Sequence, residues 1–141
     1  MFQDKSVVIT GASSGLGAAL GLELARAGAR VALFSPESER LKEVAERCAE
    51  AGAQALAVIG DVTLPDDCRK LMEETVAGFG GIDYLIANAG ISMWAKFEDV
   101  EDLGVFRKLM EVNYQGAVNC AYHALPHLKQ RRGMLVAITS I

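Results

Sequence analysis

A doubly wound α/β fold, a parallel sheet with helices on both faces, follows from three features of the sequence. Short apolar runs free of charged residues alternate with amphipathic stretches along the whole chain. The first three amphipathic stretches are each followed by a glycine, at Gly28, Gly52 and Gly80. The apolar runs do not alternate with polar residues, the pattern of strands buried on both faces. Strand–helix alternation of this kind makes a parallel sheet, and right-handed crossovers with the usual doubly wound order predict strands in the order 3-2-1-4-5.

The elements follow in order. Ser6-Val7-Val8-Ile9-Thr10 is the first strand and ends at Gly11. From Gly15 the pattern turns helical, with Leu16, Leu20 and Leu24 spaced i, i+4, flanked by Ala19 and Ala27, until Gly28 stops it. Val31 to Phe34 is the second strand, and Ser35-Pro36 reads as an N-cap with proline at the first helical position. Leu41, Val44, Ala45 and Cys48 form the inner stripe of the second helix, which Gly52 ends. Gln54 to Ile59 is the third strand. Pro65 opens a third helix with Cys68, Leu71, Met72, Thr75, Val76 and Phe79 inward, closed by Gly80-Gly81. Tyr84 to Ala87 is the fourth strand. A helical region from about Glu101 to Arg131 reads as two helices, the second kinked or shortened by Pro126. Met134 to Thr139 is the fifth strand.

The chain has 141 residues, 51% hydrophobic and 23% charged, enough for one domain and too apolar for disorder. A net charge of −4 gives no electrostatic reason to expect nucleic acid or an anionic membrane as partner. No apolar run reaches membrane-span length, and Met1 to Ser6 enters a strand with no signal-peptide pattern. Cys48, Cys68 and Cys120 lie far apart, without disulfide-framework or metal-site spacing. His123 and His127 sit at i, i+4 but lack an obvious third ligand, so no metal is expected. A cytoplasmic location is the expectation.

Chemistry concentrates between the first strand and the first helix. Gly11-Ala12-Ser13-Ser14-Gly15-Leu16-Gly17 joins a glycine-rich turn to a helix N-terminus. A pyrophosphate needs close backbone approach and N–H groups at such a terminus, and residues without side chains supply the first. An ordinary Gly/Ser turn is the structural alternative. Downstream, Asp61-Val62, Asn88-Ala89-Gly90, Asn113 and Ser140 punctuate the strand and helix ends. Each has a structural explanation too. Asp61 would cap a turn, Asn88 would satisfy backbone at a strand end, and Asn113 would bond backbone from a buried position. Ser140 would be an ordinary strand-end serine.

Taken together and in this order, these motifs resemble the short-chain dehydrogenase/reductase family across all 141 residues. Thr10 to Gly17 resembles its TGxxxGxG turn, and Gly60-Asp61-Val62 its adenine-contacting Asp. Asn88-Ala89-Gly90 matches the second half of NNAG, with Ala87 in place of the first Asn. Asn113 in Val112-Asn113-Tyr114-Gln115-Gly116 matches the active-site asparagine, and Ile138-Thr139-Ser140 the motif ending in the catalytic serine. The resemblance implies a Rossmann fold binding a nicotinamide dinucleotide through Gly11, Ser13, Ser14, Gly15, Leu16, Gly17, Ser35, Asp61, Val62, Asn88, Ala89 and Gly90. It implies hydride exchange with a small-molecule alcohol or ketone, Ser140 orienting the substrate oxygen and Asn113 holding a relay water.

An acidic residue at the end of the second strand would grip the 2′-hydroxyl of NAD and repel a 2′-phosphate. Ser35 stands there, neutral, which tips the expectation to NADP, with NAD as the alternative. No base occupies Pro36 or Ser14, and Glu37 and Glu39 oppose Arg40.

The family's acid/base is a tyrosine with a lysine four residues later. Tyr84, Tyr114 and Tyr122 are followed at that spacing by Asn88, Val118 and Pro126, so these residues contain no such pair. The fifth strand is also apolar on both faces, a central-strand pattern. The expectation is therefore a dinucleotide-binding domain, residues 1–141, truncated after the fifth strand, inactive alone, whose natural product continues or is completed by a second chain. A catalytically inactive dinucleotide-binding regulatory module is the alternative. Apolar residues within 97–131, among them Phe106, Met110, Val118, Tyr122 and Leu125, point to a homo-oligomer through those helices, as in relatives. Met93 and Trp94 read as an apolar wall near the substrate position.

Overall fold

The computed structural model describes residues 1–140. Strands β1 (Ser6–Thr10), β2 (Arg30–Ser35), β3 (Ala55–Ile59), β4 (Tyr84–Ala87) and β5 (Met134–Ala137) form one sheet in the order β3-β2-β1-β4-β5. Every pairing is parallel. The predicted class and strand order are those observed.

Alternate residues of the strands feed two cores. Val7 and Ile9 of β1 face α1 (Gly15–Arg26) and α2 (Ser38–Glu50), packing with Leu24, Leu41 and Cys48. Val8 faces the other side, where α3 (Pro65–Phe79) and α5 (Gly116–Arg131) contribute Cys68, Leu71, Met72, Cys120 and Leu128. All five β1 residues are buried, as a central strand covered on both faces requires.

The inner face of α1 differs from the leucine stripe expected. Gly17, Gly21, Leu24 and Ala25 are buried, whereas Leu16, Ala19 and Ala27 are exposed and Leu20 half-buried. Close approach decides this rather than side-chain hydrophobicity. A Cβ on Gly21 would stand 3.0 Å from Leu33 Cδ2, and one on Gly17 would collide with the Gly11 carbonyl oxygen. Only glycines on that face let the helix lie so near the sheet.

Ser35-Pro36 does not cap α2. Ser35 is the last, buried residue of β2, and the helix begins at Ser38 after Glu37. The Ser35 hydroxyl still organises the turn, accepting from the Glu37 amide at 3.1 Å. In α3 the expected stripe is seen, with Pro65 in the first turn beside Asp66 and Asp67, and Gly80 closing the helix at φ +80°.

Two separate helices were expected between 101 and 131. Instead α4 (Gly104–Met110) runs into a π-helical turn, Glu111–Gln115, which continues directly into α5. Pro126 lies inside α5 without ending it. Its missing N–H would have bonded the carbonyl of Tyr122, a residue 74% exposed on the outer side of the helix. β5 is shorter than expected because β4 ends at Ala87, leaving one further ladder bond, Ile138 N to Ala87 O at 3.0 Å. Among the described residues no helix is long and apolar enough to cross a membrane.

Candidate functional site

The strand order makes β1 and β4 neighbours although three helices and two strands separate them in sequence. The chain winds outward from β1 through β2 to β3, then returns to β4 on β1's other side. Such a reversal leaves a crevice at the C-terminal strand ends. A cleft of about 520 Å³ lies there.

The glycine loop forms its floor. Gly11 at φ +64° and Gly15 at φ +53° occupy the left-handed region. Ser14 is the extended N-cap of α1, and its side chain makes no capping bond. The first amide of α1 with a helical acceptor is that of Ala18, bonded to the Ser14 carbonyl at 3.2 Å. The Gly15, Leu16 and Gly17 amides therefore have no intrahelical acceptor, an arrangement that favours an anion. A Cβ at Gly15 would meet nothing within 4 Å, so space is open beside the loop. Gly11, Ser13, Ser14 and Leu16 line the cleft, whereas Gly17 is buried beneath it.

One wall comes from the ends of β2 and β3: Phe34, Ser35, Pro36, Glu37, Gly60, Asp61 and Val62. Ser35 Oγ donates to Ser13 Oγ at 2.9 Å, fastening this wall to the floor. Asp61 Oδ1 accepts the Thr63 amide and hydroxyl, both at 2.8 Å, and the Asp61 amide donates to Asp67 Oδ2 at 2.9 Å. Its carboxylate thus shapes the turn into α3 while its residue lines the cleft.

The opposite wall is Asn88, Ala89, Gly90, Ile91, Lys108 and Val112. Asn88 Nδ2 donates to the Thr10 carbonyl at 3.0 Å and the Gly11 carbonyl at 3.3 Å. Asn113 stands at the rim, against Gly90, in the π-helical turn. Its Oδ1 accepts the Ile91 amide and its Nδ2 donates to the Ile91 carbonyl, each at 2.8 Å. The side chain is exposed, so the backbone-bonded alternative holds without the burial expected of it.

Ser140 is exposed, three residues beyond β5 on the same edge of the sheet. Neither Asn113 nor Ser140 lines the cleft itself, although ten of the other twelve candidate residues do. Gly15 borders a second groove, about 530 Å³, shared with Ser13, Ser14, Arg40 and Arg47 between α1 and α2. Trp94 projects wholly into solvent.

Several cleft residues escaped the sequence reading. Ile91 and Val112 each adjoin a recognised motif, so adjacency alone pointed to them. Lys108 then follows from Val112 by the i, i+4 rule, and it is the one cation in a lining that also includes the carboxylates Glu37 and Asp61. Thr10 was legible as the first residue of the glycine motif, but its bonds to Asn88 were not.

Known proteins share this fold. The chain is 39% identical over 137 residues to 11-beta-hydroxysteroid dehydrogenase-like 4A of Arabidopsis thaliana, covering 96% of this chain and 46% of that protein. Among solved structures, an alcohol dehydrogenase of Thermococcus sibiricus complexed with 5-hydroxy-NADP superposes with a TM-score of 0.90 at 31% identity. That match covers 96% of this chain and 58% of the other. The NADH-dependent reductase A1-R′, complexed with NAD, gives 0.88 at 29%, covering 99% and 61%. The chain thus spans about half the length of the relatives it matches. Residues 5–141 match the family model described as short chain dehydrogenase, and the chain belongs to the short-chain dehydrogenase/reductase family of oxidoreductases.

Proposed function

We propose that the chain is the cofactor-binding part of an NADP(H)-dependent oxidoreductase that interconverts an alcohol and a ketone. The observation that carries this reading is the cleft between β1 and β4, floored by helix-start amides with no intrahelical acceptor and open beside Gly15. A dinucleotide bound there would supply the hydride donor or acceptor. Gly11, Ser13, Ser14, Gly15, Leu16 and Gly17 would seat its pyrophosphate. Asp61 and Val62 would border the adenine, Ser35 its ribose, and Asn88, Ala89 and Gly90 the path towards the nicotinamide.

Ser140 would orient the substrate oxygen, and Asn113, anchored to Ile91, would hold a water for proton exchange. The tyrosine–lysine pair of the family is absent from these 141 residues, so turnover is assigned to the whole protein and not to this stretch alone. That absence is also what favours the second reading, a dinucleotide-binding regulatory module without catalysis.

Preference for NADP(H) rests on Ser35, which places no negative charge at the ribose end, and on Arg40, which shares a groove with Ser13 and Ser14. Glu37 opposes it, and NAD is the alternative. The substrate would be a bulky apolar alcohol or ketone, in keeping with Met93 and Trp94 and with the steroid-dehydrogenase name of the Arabidopsis relative. A second copy would cover the exposed Val118, Tyr122 and Leu125 of α5. A cytoplasmic setting completes the proposal.

Assay of the whole protein with NADPH and a panel of apolar ketones tests the reading. Ketone-dependent oxidation of NADPH that falls at least tenfold in Ser140→Ala supports it. Cofactor binding with no turnover on any ketone or alcohol favours the regulatory module.

A further inference from the structure

Behind the Val62 wall of the cleft lies a pair of thiols that the proposed reaction does not use. Cys68 on α3 and Cys120 on α5 are both fully buried, with their sulfurs 3.5 Å apart. Cys120 Sγ donates to Cys68 Sγ, and Cys68 Sγ donates in turn to the Val62 carbonyl at 3.4 Å. Asn119 Nδ2 meets the same carbonyl at 2.9 Å. The helices approach closely here because Gly116, one turn before Cys120, leaves no room for a Cβ beside Val62. The third thiol, Cys48, is buried on the opposite face of the sheet, among α1 and α2 side chains.

We propose that Cys68 and Cys120 are a redox-active dithiol, oxidised by a small hydroperoxide to a disulfide that links α3 to α5 behind the cleft. The two thiols differ in the way such a reaction needs. The hydrogen bond from Cys120 lowers the Cys68 pKa against burial and the nearby Asp67 and Asp61 carboxylates. The same bond, with burial, pushes the Cys120 thiol up. Cys68 is therefore the nucleophile and Cys120 the resolving thiol.

The steps balance. The Cys68 thiolate attacks one peroxide oxygen, breaking the O–O bond, and the thiol proton leaves with the departing oxygen as water. Cys120 sulfur then attacks Cys68 sulfur, displacing hydroxide from the sulfenic acid, and its own proton completes a second water. Two thiols and one hydrogen peroxide become one disulfide and two waters. Access requires local opening of the turn between β3 and α3, where Leu64 is already half-exposed and Val62 adjoins both the cleft and Cys68. Oxidation withdraws the Cys68 S–H from the Val62 carbonyl and draws the helices together. The inference does not depend on what the cleft binds.

The test treats the native chain with hydrogen peroxide, alkylates all remaining thiols under denaturing conditions, and maps the peptides by mass spectrometry. The expected result is a loss of two hydrogens, reversed by dithiothreitol, in a Cys68–Cys120 peptide pair, while Cys48 remains fully alkylated. In Cys120→Ser, which keeps the hydrogen-bond donor, dimedone should trap a sulfenic acid at Cys68. In Cys68→Ala, Cys120 should stay unmodified. Three thiols surviving in the native chain under peroxide that oxidises the denatured chain would overturn the proposal. So would a disulfide that includes Cys48, or sulfinic acid at Cys68 without any cross-link.

Discussion

Thr10 and Asn88, at the ends of adjacent strands, hold each other in a closed exchange of hydrogen bonds. The Thr10 hydroxyl oxygen accepts the amides of Asn88 and Ala89, each at 3.0 Å, and Asn88 Nδ2 returns a bond to the Thr10 carbonyl at 3.0 Å. This exchange ties the ends of β1 and β4 together beneath the cleft, and a further bond from Asn88 Nδ2 to the Gly11 carbonyl fixes the glycine loop against Asn88. Thr10→Val keeps the shape but strands two amides, at a cost of about 1–3 kcal/mol. Thermal or denaturant unfolding should show that loss, and Thr10→Ser should recover most of it.

The glycines of the loop differ in what limits them. Gly17 has no room, since a Cβ would strike the Gly11 carbonyl and stand 2.7 Å from Asn88 Nδ2. Gly15 has room but sits at φ +53°. Gly17→Ala should therefore separate α1 from the sheet and destabilise by about 1–3 kcal/mol. Gly15→Ala should cost roughly 1–2 kcal/mol from backbone conformation alone. Crystal structures of the two variants distinguish the mechanisms: a displaced helix in the first, an unmoved one in the second.

Ser35 carries the proposed preference between the two dinucleotides. Ser35→Asp puts a carboxylate where a 2′-phosphate would approach and also intrudes on the Ser13 hydroxyl 2.9 Å away. Titration of the variant should give at least tenfold weaker NADPH binding with NADH retained or strengthened. An unchanged ratio would remove Ser35 from the account of specificity.

The outer face of α5 is the proposed meeting surface of two copies. Val118 and Tyr122 are exposed, 42% and 74%, one turn apart on that face. Val118→Glu and Tyr122→Glu should leave the unfolding midpoint within a few degrees and halve the mass seen by light scattering. A wild-type chain already monomeric at high concentration would contradict the surface.

Much of this was legible in the sequence because parallel strands advertise themselves. β1, β2 and β4 are buried runs with little tolerance for polar residues, and α3 carries its proline start and glycine stop openly. What was hidden depends on distance between elements. The inner face of α1 is chosen by Gly17 and Gly21, which hydrophobic periodicity scores as gaps. Ser35-Pro36 has the composition of a cap, yet the pairing of Ser35 with Ile59 keeps it in the sheet. The π-helical turn that brings Asn113 to Ile91 leaves only the weak helix formers Val112, Asn113 and Tyr114 as its trace, and Pro126 lies within α5 without ending it. Among the site residues, those in motifs were recognisable. Lys108 was not, because its place depends on helix phase rather than on spacing.

Calorimetric titration of the chain with NADPH and, separately, NADH tests the central claim that the cleft between β1 and β4 is a dinucleotide site. Saturable binding of one dinucleotide per chain, tighter for NADPH and lost in Gly17→Ala, is the predicted result. No saturable binding of either dinucleotide to the folded chain would contradict it.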